Sequence, residues 1–222
     1  GTFDVFALQA RAALTERLSF IATKDGYIEL NPTNGALGGS GFANVAAGLK
    51  YNLIRNIDWA TLVSVGATYE IPMGSDDVFQ GNGDGDFHFF MSGATELTEW
   101  SNWITGSGFR IPTNGNEGSQ LWYWSNHFDV ELVSNKIFFF GEFNWYHYMR
   151  SGNGPISGFE GQDLINLGAD NVAGNDIVTA AIGPTARLLD GKIELSGAYE
   201  VPLTNRRDLL DGRMTFTAAI NF

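Results

Sequence analysis

The hydrophobic pattern of this chain repeats every two residues and holds for ten to fourteen residues at a time. A period of two is the period of a β-strand with one apolar and one polar face. In Trp59–Ile71 the odd positions are Trp59, Thr61, Val63, Val65, Ala67, Tyr69 and Ile71, and the even ones are Ala60, Leu62, Ser64, Gly66, Thr68 and Glu70. Phe87–Leu97 repeats this with Phe87, Phe89 and Met91 against His88, Ser92 and Glu96. In Trp122–Leu132 the apolar phase is Trp122, Trp124, Phe128, Val130 and Leu132, interrupted by Asn126. Eleven such strands are expected, at about 4–14, 17–25, 42–53, 58–71, 86–97, 101–111, 120–132, 137–149, 176–188, 192–201 and 212–222. No comparable stretch has a helical period. The expected fold is all-β, one domain over 1–222, closed as an antiparallel up-and-down transmembrane β-barrel.

Connection lengths support closure. Short turns near Thr15-Glu16, Ile54–Ile57, Thr98–Trp100, Val133–Lys136 and Leu189–Gly191 alternate with long loops at 26–41, 72–85, 112–119, 150–175 and 202–211. Barrels with tight turns at one end and loops at the other have this rhythm. The first and last strands both run toward the turn end. An even-stranded barrel then needs a twelfth strand upstream of Gly1; the plainer reading is eleven. No signal peptide is visible, so a mature segment or a start further upstream is expected.

Alternation alone leaves open which face meets which solvent. Aromatic residues gather near strand ends rather than strand middles. Tyr51, Trp59, Trp103, Phe139 and Phe222 lie near the turns, and Tyr69, Phe87, Phe109, Trp122, Trp124, Trp145 and Tyr199 near the loops. Trp and Tyr favour the membrane–water interface, where one end of the ring is apolar and the other wet. Trp59 to Tyr69 spans about 24 Å at ~3.3 Å per residue and ~45° of tilt, close to the ~25 Å apolar band of such barrels. These twelve residues are therefore expected as lipid-facing girdles. The sequence Ala67-Thr68-Tyr69-Glu70-Ile71-Pro72 recurs as Gly197-Ala198-Tyr199-Glu200-Val201-Pro202, and loosely as Ser107-Gly108-Phe109-Arg110-Ile111-Pro112. It reads as a strand terminator, because proline has no N–H for the ladder.

The opposite phase would line the lumen. It carries Lys50, Glu70, Asp86, Glu96, Arg110, His127, Asp129, Glu131, Glu142, Tyr146, Arg187, Lys192, Glu194, Glu200 and Arg213, with Arg11 and Arg17. Its charges nearly balance, although the chain has 13 Lys and Arg against 25 Asp and Glu, net −12. The acid surplus therefore falls in the long loops, where Glu29, Asp76, Asp77, Asp84, Glu117, Glu160, Asp163, Asp170, Asp208 and Asp211 face only Arg150, Arg206 and Arg207. Such a mouth would favour cations. The lining suits either a bore filled by ion pairs or a narrow polar passage, tightened by Phe90, Phe138, Phe140, Tyr146 and Tyr148.

An acidic chain lacks the basic face that nucleic acid needs. Absence of cysteine excludes thiolate metal sites and cysteine nucleophiles. Ser125, His127 and Asp129 share one strand face, where Ser125 with His127 as base and Glu142 or Asn144 of the adjacent strand as orienting group would give a lipid hydrolase, the third functional reading. In the twelve-stranded barrel hydrolases, however, the Ser and His face lipid, so no catalytic role is expected. Gly81-Asn82-Gly83-Asp84-Gly85-Asp86 spaces three oxygen side chains by two residues, as Ca²⁺ loops do, but the acid due eleven residues after Asn82 is Gly93. His88, His127 and His147 have no ligand spacing. Neither metal nor cofactor is expected.

Ala13-Leu14-Thr15-Glu16-Arg17-Leu18 resembles the "GLTDRL" hairpin of the outer-membrane barrels named after the meta-pathway of phenol degradation. Gly48-Leu49-Lys50-Tyr51, followed by Tyr69-Glu70-Ile71-Pro72-Met73-Gly74 and the Gly/Asp loop, is similar to that family's "GxKY … LPTG … G" hairpin. The final Phe222 resembles the carboxy-terminal insertion signal of bacterial outer-membrane barrels. The resemblance covers residues 10–95 and implies passage of aromatic or apolar solutes without assigning a binding residue. The expected protein sits in the bacterial outer membrane against lipid and lipopolysaccharide and passes small solutes passively. A plugged scaffold barrel, associated with other envelope proteins or with itself, is the alternative.

Overall fold

A computed structural model describes residues 1–33 and 38–222. Fourteen strands form two antiparallel sheets, with no α-helix among the described residues. The strands are β1 (Thr2–Ala7), β2 (Ala10–Ala13), β3 (Leu18–Lys24), β4 (Gly26–Asn31), β5 (Gly39–Phe42), β6 (Val45–Asn56) and β7 (Thr61–Ile71). After a 3₁₀ turn at Asp76–Val78 come β8 (Asp86–Thr98), β9 (Ser101–Pro112), β10 (Gln120–Val133), β11 (Ile137–Arg150), β12 (Asp176–Leu188), β13 (Ile193–Pro202) and β14 (Arg213–Ile220).

Eleven strands make one continuous sheet, in the order β14-β13-β12-β11-β10-β9-β8-β7-β6-β3-β2. Its strand count equals the expected one, but its ends do not pair with each other. Every neighbouring pair is antiparallel, so β2 and β14 run the same way. They cannot close an antiparallel ladder directly.

The second sheet, β1-β4-β5, corrects the expected boundaries. The first strand breaks at Leu8-Gln9, and the expected loop 26–41 contains two strands; its residues 34–37 lie outside the described ones. This sheet continues the first three wall strands past the loop end. Gly26 marks the junction with φ 157°, and a side chain there would strike the Phe6 carbonyl. One face of the small sheet packs Ile28 and Ala43 on Val78, with Phe3 and Leu30 beside them.

The two faces of the large sheet differ as the period predicts. One carries Phe87, Phe89, Met91, Phe128, Phe139, Phe143, Tyr199 and Phe216, all exposed. The other carries Phe138, Phe140, Tyr146 and Tyr148, all buried. Phe90 lies over Gly66, where a Cβ would collide with its ring. Pro184 stands inside β12, and the ladder to β13 lapses between Ile182↔Tyr199 and Thr185↔Ser196. A missing N–H accounts for the lapse.

The indoles of the outer face are satisfied locally. Trp103 Nε1 donates to Asn126 Oδ1 at 3.1 Å, Trp122 to Ser107 Oγ at 2.9 Å and Trp124 to Thr105 Oγ1 at 3.0 Å. Asn126, which interrupts the apolar phase, is thus the acceptor for an indole. Replacing it by leucine orphans that N–H, at a cost of about 1–3 kcal/mol. The pair Trp103→Phe with Asn126→Leu should recover most of the loss, measured by urea unfolding of both variants.

Candidate functional site

Site residues expected on the polar phase lie on the inner face, where the sheet curls around a buried segment. Three of them are the charged members of the repeated strand ends: Glu70 lies next to the last residue of β7, Arg110 lies in β9 and Glu200 in β13. That repeat was expected to be a strand terminator, and β7, β9 and β13 do end at it, at Ile71, Pro112 and Pro202. The structure also gathers its three charges, with Asp86 and Arg213, into one band across the loop end.

The band is held by partners that the sequence concealed. Lys24 Nζ meets Glu70 Oε1 at 2.7 Å, and Asn44 Nδ2 donates to the same oxygen at 2.8 Å. Glu200 accepts from Arg213 Nη2 at 2.6 Å and also from Thr179 and Asn144. Asp163, in the long loop, joins both sides. Its carboxylate accepts from Arg213 Nη1 at 3.0 Å and its backbone carbonyl from Arg110 Nη1 at 2.7 Å. Burial pushes the Asp163 carboxyl up, but the Arg213 and Arg110 guanidiniums outweigh it and hold it below the usual range.

Residues 151–175 therefore fold inward and do not stand at the mouth. Ala169 and Val172 pack with Leu121, Tyr146, Tyr148 and Ile177 of the wall. Glu160 is 1 % exposed. Its carboxylate accepts from Ser119 Oγ at 2.6 Å, from the Leu167 and Ala169 N–H groups at 2.8 Å and from Gly161 N–H at 3.2 Å. Asn166 Nδ2 donates to Asp86 Oδ2 at 3.2 Å, and Gln162 N–H donates to Tyr148 Oη at 3.0 Å. The expected surplus at the mouth shrinks accordingly. Glu160 and Asp163 are interior, Asp208 pairs with Arg206 at 2.9 Å and Asp211 with Arg207 at 3.3 Å.

Toward the turn end the inner charges pair across strands. His127 Nδ1 meets Glu142 Oε1 at 2.8 Å, and its Nε2 lies 3.7 Å from Asp129. With a carboxylate at each ring nitrogen, His127 is engaged away from Ser125, and no hydrogen bond joins the two among the described residues. Arg187 Nε meets Glu194 Oε2 at 2.9 Å and stacks over the Phe138 ring. Lys50 faces Gly66 across the β6–β7 ladder, and Glu96 faces Asn102, exposed. The Glu131 carboxylate accepts the Asn135 N–H and so ties a turn rather than a lumen. Lys192 precedes β13.

Of the residues expected on the apolar phase, Tyr51, Tyr69, Phe87, Trp103, Phe109, Trp122, Trp124, Phe139, Trp145 and Tyr199 lie in strands on the outer face. Two boundaries need correction. Trp59 sits in the turn before β7, where Ala60 takes φ 42°, and Phe222 follows the end of β14. In the Gly81–Asp86 loop, Gly81 N–H donates to Asn44 Oδ1 and the Asp84 carbonyl accepts from Tyr69 Oη. Its backbone is tied to the wall on both sides.

Between the inner wall and the small sheet lies a cavity of about 270 Å³. Phe3, Val5, Ile28 and Leu164 form its apolar side, and its charged side is Lys24, Asp25, Glu70, Asp86, Arg110 and Asp163, with His88.

No protein-family model matches the chain, and no curated protein does. Among solved structures, the fold is similar to the crystal structure of the COG4313 outer membrane channel from Pseudomonas putida F1. The TM-score is 0.60 at 11 % identity, over 97 % of this chain and 80 % of that one. At that identity the likeness is one of fold.

Proposed function

We propose that the chain forms a closed β-barrel in a bacterial outer membrane and gives small solutes passive passage. The observation that carries this reading is the division of the faces. Across the sheet the outer side chains are exposed and apolar, while ionised groups pair on the inner face around a cavity. Water on the outer face would solvate a large apolar surface at a cost that lipid removes. Indoles bonded to Ser107, Thr105 and Asn126 fit the same solvent, since polar groups in hydrocarbon need internal partners. Closure follows if one further strand pairs antiparallel with both β2 and β14, which makes twelve. Lipid and lipopolysaccharide are then the outer neighbours, and the chain is a passage rather than an enzyme. The likeness to an outer membrane channel supports this.

A second reading, a scaffold barrel with a blocked bore, is favoured by the tight docking of residues 151–175. Single-channel recording in planar bilayers separates the two, since a blocked bore gives no current steps. Five mouth acids, Glu29, Asp76, Asp77, Asp84 and Glu117, have no cation within 4.0 Å among the described residues. The expected reversal potential shows a weak cation preference that fades above ~0.1 M salt, where the Debye length falls to ~10 Å. An anion preference contradicts that expectation.

A further inference from the structure

We infer that the cavity between the small sheet and the wall binds a small zwitterion with an apolar side chain, such as a free aromatic or aliphatic amino acid. This rests on the passage reading for its biological sense, although the binding itself does not need an open bore.

The argument is one of charge balance. Six ionised groups line the cavity: Lys24, Asp25, Glu70, Asp86, Arg110 and Asp163. Lys24 and Glu70 satisfy each other at 2.7 Å, and Asp163 is held by Arg213 at 3.0 Å. Asp25, half-buried between β3 and β4, Asp86 and Arg110 are left over, and Asp86 and Arg110 lie on the same face of the wall. Among the described residues, no cation stands within 4.0 Å of the Asp86 carboxylate, whose partner is the neutral Asn166 amide. No carboxylate stands within 4.0 Å of the Arg110 guanidinium, whose partner is the Asp163 carbonyl. A carboxylate and a guanidinium, neither with an opposite charge within 4.0 Å among the described residues, thus share one lining.

Their spacing is fixed by the ladder. Asp86 is opposite Pro112 and His88 is opposite Arg110, so Asp86 and Arg110 are diagonal neighbours on the same face. The Cα atoms of diagonal neighbours in an antiparallel pair are about 7–8 Å apart, and both side chains rise from the same face. That leaves room for one ammonium and one carboxylate carried on the same carbon to bridge them. A solute with only one charge satisfies one group and leaves the other uncompensated in a partly desolvated site. A zwitterion answers both and adds no net charge. Its side chain then meets Phe3, Val5, Ile28 and Leu164 on the facing wall. The volume of about 270 Å³ limits the solute to small molecules.

The test is titration calorimetry on the full chain in detergent with three probes of similar shape: phenylalanine, 3-phenylpropanoate and 2-phenylethylamine. Phenylalanine is expected to bind about tenfold or more tighter than either singly charged analogue. Asp86→Asn should reverse the order in favour of 3-phenylpropanoate, and Arg110→Gln in favour of 2-phenylethylamine. Equal affinities for the three probes overturn the inference, as does an equal loss of all three in both variants. Absence of phenylalanine binding to the parent protein overturns it as well. Erythritol flux into proteoliposomes is measured beside it. A protein that binds phenylalanine but passes no erythritol keeps the site and loses the passage; the converse keeps the passage and loses the site.

Discussion

Asp163→Ala is expected to raise single-channel conductance and shift selectivity toward anions. Asp163 is the one side chain of residues 151–175 that forms an ion pair with the wall among the described residues. The pair is half-buried, with side chains 24 % and 34 % exposed, so its loss costs less than the ~3–5 kcal/mol of a fully buried pair and more than the ~0–1 kcal/mol of a surface one. A value near ~1.4 kcal/mol changes a docking equilibrium tenfold. The segment then leaves the bore for a larger share of the time, and Arg110 and Arg213 face the passage with less acid beside them. The same logic fixes the pH dependence. The folded Asp163 carboxyl titrates below its ordinary value, so its contribution to docking is present above ~pH 4 and lost as the pH falls below it. Conductance of the parent should stay level down to about pH 4 and rise beneath it, while Asp163→Asn shows no such rise. An increase already complete at pH 6 would assign the gate to another group.

Glu160→Ala should undock the segment without unfolding the sheet. Its carboxylate serves three backbone N–H groups and the Ser119 hydroxyl. Each buried donor left unpaired costs about 1–3 kcal/mol, so the sum exceeds what local docking can absorb. The segment escapes by opening to water, and that opening caps the loss. Glutamine is no rescue, because each oxygen of Glu160 accepts two bonds and the amide nitrogen would face two donors. Hydrogen exchange is expected to speed up at Gly161, Leu167 and Ala169 while amides of β8–β11 keep their protection. Loss of protection throughout the sheet would show that Glu160 holds the whole fold.

The strand faces were legible because side-chain period is local: a residue's side of the pleat follows from its place in the strand. Lys24 was missed for a reason the ladder shows. Counting by twos from Arg17 puts it on the apolar phase. A register shift between Ala22 and Lys24 adds one residue, and the side chain turns inward to Glu70. β4 and β5 were hidden in a stretch with no sustained alternation, since they pair above the wall, where one face rests only on Val78 and its neighbours. Glu160 and Asp163 carried no signal at all. Their stretch is rich in glycine and lacks any period, and an inward carboxylate there looks like an acidic surface loop.

The residues by themselves determined the strand positions, the apolar and ionised sides, and the recurrence of Glu70, Arg110 and Glu200 before a proline. These depend on neighbours one or two places away along the chain. Only the tertiary structure decided that the three charges join one band, that Asp163 links Arg110 and Arg213, and that Asp86 and Arg110 have no opposite charge within 4.0 Å among the described residues. Those facts depend on which strand lies beside which and on where a loop without period comes to rest, and both are set by contacts between residues tens of positions apart.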